Sequence, residues 1–168
     1  MINVMVCSRK EAERAKLHDG VAVISIFTPG DTPADIKHHP DQVLPICFHD
    51  LSDPKLDGKT IVYLGKVDDT APRAMNLCSA EQAREILAFV DNMIARGITN
   101  FVIHCDAGIS RSPGVAVALK QIYNDDREIP YHYQLFNRWV YTRILEAKFM
   151  TPIPHEVNLT KHDIRYTC

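Results

Sequence analysis

Apolar runs rich in β-branched residues alternate along this chain with polar, turn-forming segments, and the runs predict buried strands. The predicted strands are Met1–Cys7, Val21–Phe27, Val43–His49, Thr60–Val67 and Asn100–His104. Pro45 argues against a central, fully paired position for the third of these, because proline lacks the backbone N–H that a ladder needs. The fourth reads equally well as a hairpin arm. Asp31–Asp41 predicts a loop or a short irregular helix, and Asp68–Asn76 predicts a loop.

Helix signals fill the gaps between the predicted strands. Ser8 and Glu11 form a capping box that opens a helix expected to stop at Gly20, and Ser79 and Gln82 form a second one. The helix after Ser79 carries apolar residues at helical spacing up to Gly97. Two further helices are predicted, an apolar one and an amphipathic one. They are Pro113–Tyr123 and the segment that follows Pro130, with Leu135, Trp139, Val140, Ile144 and Leu145 on one face.

Strands that alternate with helices predict an α/β fold, a single domain in which helices flank a mostly parallel central sheet. We expect this domain to cover residues 1–150 and a polar tail to cover residues 151–168. Ligands of such sheets bind beyond the carboxyl ends of the strands. The residues that follow the strand ending at His104 therefore lie where a site is expected.

Composition narrows the class of protein. A chain of 168 residues with 46% hydrophobic and 24% charged residues is typical of a soluble globular domain. No apolar stretch is long enough to span a membrane, and Met1–Cys7 lacks the basic leader of a secretory signal, so a cytoplasmic location and no membrane partner are expected. A net charge of −2 argues against a general nucleic-acid binder.

The cysteines and histidines argue against metal sites and disulfides. Five cysteines form an odd number without C-x-x-C spacing, and the eight histidines are dispersed. We therefore expect no metal, no cofactor and no disulfide framework. In a reducing compartment one cysteine is then free to act as a nucleophile, while a buried inert thiol remains the ordinary alternative for any of them.

The segment His104-Cys105-Asp106-Ala107-Gly108-Ile109-Ser110-Arg111-Ser112 joins a predicted buried strand to a predicted buried helix. Such a turn directs backbone N–H groups towards the positive end of the helix, which favours a tetrahedral oxyanion. Gly108 permits the tight curl, and the planar guanidinium of Arg111 can donate two parallel hydrogen bonds to phosphate oxygens. The same electropositive setting favours the thiolate of Cys105. We predict that residues 106–111 bind the phosphoryl group.

The pattern of His-Cys, five residues and Arg-Ser resembles the signature of the protein tyrosine phosphatase superfamily, and HCDAGISRS is similar to its compact dual-specificity branch, including short bacterial and phage members. The resemblance implies that Cys105 is the nucleophile, which forms a phosphocysteine, and that Arg111 binds substrate and stabilises the transition state. It also implies that His104 tunes the thiolate and that Ser112 helps the thiolate leave. For His104, a hydrogen-bonding residue beside the sheet is the simpler alternative.

A phosphatase of this kind needs a general acid for the leaving oxygen, and the sequence offers three aspartates. Asp50 follows the strand Val43–His49 and is similar to the strand-end aspartate of the short bacterial members. Asp68 and Asp69 lie nearer to Cys105 along the chain, at a separation closer to that of dual-specificity phosphatases. We favour Asp50, then Asp69. A turn or capping role is the alternative for each.

The resulting hypothesis is a phosphatase of phosphotyrosine, with phosphoserine and phosphothreonine as further candidates, acting on a phosphorylated protein. One alternative is a phosphatase of inositol phosphates, lipids or RNA 5′-phosphates, whose polyanionic substrates favour loop lysines that are absent here. Others are a phosphate-binding module without turnover and a sulfur-transfer or arsenate-reducing enzyme. Asp106 would repel anions from the rim of the loop unless it simply faces solvent. The sequence leaves the oligomeric state open.

Overall fold

The computed structural model of the chain describes residues 1–51, 76–130, 133 and 135–149. Within them four strands form one sheet, in which every pairing is parallel and the spatial order is β1-β4-β2-β3. The strands are β1 (Asn3–Ser8), β2 (Val21–Phe27), β3 (Val43–Cys47) and β4 (Asn100–Cys105). The helices are α1 (Arg9–Arg14), α2 (Ala80–Ala95), α3 (Arg111–Asn124) and α4 (Arg138–Phe149), with a short 3-10 helix at Pro40–Gln42. The predicted α/β class with a parallel sheet is confirmed.

The central strands β2 and β4 are almost wholly buried, which explains why their sequences are continuously apolar. β3 pairs with β2 alone within the described part of the chain, and Pro45 lies opposite Ser25 in that pairing. This edge position agrees with the constraint that proline imposes on a strand. β2 and β4 therefore place their carboxyl ends side by side at the middle of the sheet.

The two faces of the sheet are covered unequally. Helices α2, α3 and α4 pack over one face and enclose the main apolar core, which contains among others Ile24, Phe48, Ile86, Phe101, Leu119 and Ile144. The other face carries a small cluster of three valines, Val21, Val23 and Val102, partly covered by Leu17 and Ile36. Residues of one strand alternate between these faces. Neighbouring residues such as His104 and Cys105 consequently lie in different surroundings.

Both predicted capping boxes are present at the starts of α1 and α2. The expected extent of the first helix is wrong: α1 ends at Arg14, and Ala15 has extended backbone angles. Leu17 instead packs against the small valine cluster, and this contact needs an irregular connection to β2. α3 begins at Arg111, two residues before the predicted start. Pro113 fits its first turn, where backbone N–H groups have no partner within the helix.

Several predictions concern residues outside the described ranges. These are the strand or hairpin arm Thr60–Val67, the aspartates Asp68 and Asp69, and the tail over residues 151–168. The domain boundary at residue 150 stays a prediction for the same reason. Among the described helices, none combines the length and the apolar character that crossing a bilayer requires.

Candidate active site

The segment between β4 and α3 lies at the carboxyl end of the sheet, as predicted. It is held against the end of β1, where the backbone N–H of Arg9 donates to the carbonyl oxygen of Asp106 at 3.1 Å. Gly108 has a positive φ of 74°, and a Cβ atom there would lie 2.7 Å from the carbonyl carbon of Cys7. Both the conformation and the close approach of two backbones therefore require glycine at this position.

Cys105 is the last residue of β4, and only 2% of its surface is exposed. The hydroxyl of Ser112, in the first turn of α3, donates to the sulfur of Cys105 at 3.1 Å. The first turn of a helix also presents unpaired backbone N–H groups and the positive end of the helix dipole. This arrangement can stabilise a negative charge on the sulfur or on a group bound beside it.

Arg111 is 3% exposed, and its guanidinium is held by contacts with the residues that follow β2, β3 and β4. Nη1 donates to the carbonyl oxygen of Phe48 at 2.8 Å and to the hydroxyl of Thr28 at 3.1 Å. Nη2 donates to the carboxylate of Asp106. Nε is buried and has no hydrogen-bond partner among the described residues; it lies 3.9 Å from Oδ2 of Asp50. Three of the five N–H donors of the guanidinium are thus engaged, and the donor on Nε is still available.

Asp50 follows β3 and lies beside the segment between β4 and α3. Its Oδ1 accepts a hydrogen bond from the hydroxyl of Ser110 at 2.6 Å and another from the Asn137 amide at 2.9 Å. The side chain keeps 33% of its surface exposed. The structure therefore brings Asp50 to the predicted site, while the alternatives Asp68 and Asp69 lie outside the described residues.

His104 faces the opposite side of the sheet from Cys105. Its Nε2 lies 2.8 Å from the hydroxyl of Ser25, and its Nδ1 lies 3.4 Å from the carbonyl oxygen of Cys105. Burial lowers the pKa of this imidazole below its usual range, since a charged ring would lose its hydration. The hydrogen-bonding role is thus present in the structure, and the tuning of Cys105 by His104 stays a prediction.

The remaining loop residues line the rim of the site. Asp106, Ala107 and Ile109 are exposed, whereas Gly108 and Ser110 are half-buried. The interpretation of Asp106 as simply facing solvent is wrong. Its side chain is 45% exposed, but its carboxylate is paired with Arg111 and accepts a hydrogen bond from the hydroxyl of Thr28 at 3.1 Å.

Two residues that contribute to the site, Thr28 and Asn137, were not predicted from the sequence. Thr28 follows β2, the neighbour of β4, so the rule that parallel strands end at one edge could have indicated it. Asn137 has the signal of a helix N-cap, and its Oδ1 does accept from the N–H of Val140 at 3.0 Å. No local signal shows that the Asn137 amide also donates to Asp50, or that its backbone N–H donates to the carbonyl of Ser110 at 2.9 Å.

The donors collected here suit an oxyanion. Arg111 supplies a guanidinium, and the start of α3 supplies the positive end of a helix next to the sulfur of Cys105. Among the described residues, no group of three histidine, cysteine, aspartate or glutamate side chains is arranged to hold a metal ion. The chemistry that these residues can perform is anion binding next to a thiol.

Comparison with solved structures agrees with this architecture. The human tyrosine phosphatase-like serine/threonine/tyrosine-interacting protein superposes with a TM-score of 0.55 at 17% identity, over 88% of this chain and 92% of that one. The chain has a tyrosine-phosphatase-like fold. Tk-PTP in its active form matches at a TM-score of 0.35 and 16% identity, over 94% of this chain and 84% of that one. By sequence, neither a family model nor a curated protein matches.

The fold implied by the resemblance of the pattern around Cys105 and Arg111 is confirmed. At these identities the likeness concerns the fold, and the chemistry has to be argued from the residues themselves.

Proposed function

We propose that this chain is a cysteine-dependent phosphatase that hydrolyses phosphotyrosine in proteins, with phosphoserine and phosphothreonine as further candidate substrates. The observation that carries the proposal is the contact between Ser112 Oγ and the sulfur of Cys105, 3.1 Å long, at the start of the helix that also bears Arg111. A buried structural thiol has no need of a hydroxyl donor, a guanidinium and a helix N-terminus together.

In the first step the thiolate of Cys105 attacks phosphorus, and the bond between phosphorus and the leaving oxygen breaks. Asp50 donates a proton to that oxygen, so that a neutral alcohol departs and a phosphocysteine remains. Arg111 compensates the charge on the equatorial phosphoryl oxygens, where most of the charge of such a transition state resides.

In the second step water attacks the phosphocysteine, and Asp50 accepts a proton from that water. The bond between sulfur and phosphorus breaks, and inorganic phosphate is released. The sulfur leaves as a thiolate, which the Ser112 hydroxyl stabilises by the hydrogen bond it already makes.

The assignment of Asp50 as the acid is supported by how firmly its carboxylate is held. Ser110 and Asn137 both donate to Oδ1, which leaves Oδ2 directed towards the edge of Arg111 at 3.9 Å. A third of the side chain is open to solvent, so a leaving group has access to it. Asp69 is the alternative, and substitution of each residue in turn distinguishes them.

A phosphorylated protein side chain is favoured over polyanionic substrates by the charge at the rim. Asp106 contributes a carboxylate there, and residues 104–112 contain no lysine. A substrate with several phosphates close together would be repelled more strongly by Asp106 than a single phosphoryl group on a protein side chain.

A turnover assay tests the proposal. The intact chain is assayed on p-nitrophenyl phosphate with a chelator present, in parallel with the Cys105→Ser variant and a Cys47→Ser control. We expect metal-independent release of p-nitrophenol by the wild type and the control, and none by Cys105→Ser. Equal activity of the Cys105→Ser variant and the wild type would sink the proposal.

A second candidate function is phosphate binding without turnover. The burial of Cys105 favours it, because only 2% of this residue is exposed and attack by its sulfur on phosphorus is thereby limited. Binding of a phosphopeptide by the wild type, without any release of phosphate over many hours, would select this candidate.

A further inference from the structure

The site contains an anion of its own, the carboxylate of Asp106. The Nη2 of Arg111 donates to Oδ2 of Asp106, and the Thr28 hydroxyl donates to the same oxygen at 3.1 Å. That hydroxyl also accepts from the Nη1 of Arg111 at 3.1 Å. The carboxylate of Asp106, the hydroxyl of Thr28 and the guanidinium of Arg111 are therefore joined in a ring of hydrogen bonds.

Only one edge of the guanidinium can serve an incoming oxyanion. Nη1 is committed to the Phe48 carbonyl and to Thr28, whereas Nε is buried and unpartnered among the described residues. A bidentate arginine contact uses two neighbouring N–H groups, and the remaining pair is Nε with Nη2. Nη2 carries two N–H groups, so a phosphoryl group that binds this edge shares Nη2 with the carboxylate of Asp106, and the two anions repel each other.

We propose that Asp106 is a specificity-determining residue, which competes with the bound oxyanion for Arg111 and so lowers the affinity of the site for free and multiply charged anions. The inference rests on the proposed function, since it assigns Arg111 to the phosphoryl group. Asp106 is placed for this competition because its carboxylate pairs with Nη2 of Arg111, whose side chain is 3% exposed and stays in place.

The effect of this competition on a ligand depends on the groups that the ligand has besides its phosphoryl group. Inorganic phosphate binds through its oxygens alone, so the repulsion by Asp106 weakens it most. A phosphorylated protein side chain brings further contacts that offset this cost. A second anion close to the phosphoryl group adds to the repulsion by the Asp106 carboxylate at the rim. The expected result is weak product inhibition and a preference for isolated phosphoryl groups.

Equilibrium binding of inorganic phosphate to the intact chain tests this inference, with titration calorimetry as the measurement. Asp106→Asn keeps the shape of the side chain and removes its charge. Asp31→Asn is the matched control, because Asp31 is an exposed aspartate three residues after Thr28. We expect phosphate to bind Asp106→Asn about 5- to 10-fold more tightly than the wild type, the range for a partly exposed charged contact. The control is expected to change the affinity less than about twofold.

Unchanged or weaker phosphate binding by Asp106→Asn, or no binding by either protein, would overturn the inference. Asp106→Ala repeats the test if the first variant does not fold, which its melting curve reports. Binding needs no turnover, so the two proposals can fail separately. A chain that is inactive on p-nitrophenyl phosphate, yet binds phosphate more tightly as Asp106→Asn, refutes the phosphatase and supports the competition.

A second readout concerns selectivity. Two phosphopeptides are compared, one with neutral flanking residues and one with acidic residues beside the phosphorylated position. We expect the ratio of kcat/KM, neutral over acidic, to fall about threefold or more in Asp106→Asn, because the repulsive charge is gone. An unchanged ratio contradicts a role in specificity.

Discussion

The candidate site has two halves that are built differently. One half is the continuous segment from His104 to Ser112, which contains the sulfur, the guanidinium and the start of α3. The other half consists of Thr28, Asp50 and Asn137, each from a different part of the chain, which reach the first half through hydrogen bonds to Arg111 or Ser110. The continuous half could be interpreted from sequence because its chemistry depends on neighbours along the chain. The dispersed half depends on how the strands are ordered.

After the loss of Cys105 itself, the largest effect is expected from the continuous half, at Arg111. Arg111→Lys keeps the charge but removes the planar fork, and an ammonium group cannot replace the contacts of Nη1 with Phe48 and Thr28. We expect kcat/KM on p-nitrophenyl phosphate to fall roughly 10³-fold, which corresponds to about 4 kcal/mol of transition-state stabilisation. Arg9→Lys, at a half-exposed ion pair with Glu13, is the control and should stay within about threefold. Similar kinetics for the two variants would contradict the assigned role.

Gly108 tests the geometry of the same half. Gly108→Ala combines a strained positive φ with a Cβ atom 2.7 Å from the backbone of Cys7, and we expect a loss of about 3 kcal/mol in the free energy of unfolding. Gly97 also has a positive φ, of 82°, but nothing lies within 4 Å of its Cβ position. Gly97→Ala should therefore cost only about 1 to 2 kcal/mol. Denaturant unfolding measures both, and equal losses would mean that the close approach at Gly108 is unimportant.

Asp50 tests the dispersed half. We expect Asp50→Asn to lower kcat on a phosphopeptide about 10²-fold, because an alkyl or tyrosyl oxygen leaves poorly without a proton. On p-nitrophenyl phosphate the loss should be several-fold smaller, since that leaving group is stable as an anion. Asp41→Asn, at the surface ion pair with Arg96, serves as the control. Full activity of Asp50→Asn together with inactive Asp69→Asn would transfer the role to Asp69.

His104 is expected to give the smallest effect, on stability. Burial lowers its pKa in the folded protein, so the unfolded chain binds the proton more tightly. The contribution of His104 to the free energy of unfolding is complete above about 6.5, the pKa in the unfolded chain. It is lost as the pH falls from there through the pKa in the folded protein. His104→Gln should weaken the dependence of the free energy of unfolding on pH, measured from pH 5 to 8 because this range brackets about 6.5.

His49 supplies the control for that experiment, because burial lowers its pKa as well. The His49→Gln variant should keep the pH dependence of the free energy of unfolding that His104 causes. Parallel stability curves for His104→Gln and the wild type would show that the buried imidazole is not the group responsible.

The comparison also explains which features the sequence could predict. Continuous β-branched runs predict β2 and β4 because both strands are buried on two sides. Capping boxes at Ser8 and Ser79 are local, so the helix starts were found. The end of α1 was not predicted correctly, because it depends on the packing of Leu17 on a valine cluster assembled from distant strands. The pairing of Asp106 with Arg111 depends on rotamers within the loop, and Asn137 reaches Asp50 across 87 positions of sequence.

The most direct test of the central claim is to trap the covalent intermediate. The wild type and the Ser112→Ala variant are mixed with p-nitrophenyl phosphate, quenched in acid within milliseconds and digested for mass spectrometry. We predict one phosphate group on the peptide that contains Cys105, and more of it in Ser112→Ala, because loss of the hydroxyl that contacts the sulfur slows the second step. Turnover without a phosphorylated Cys105, or phosphate on another residue, would contradict the account.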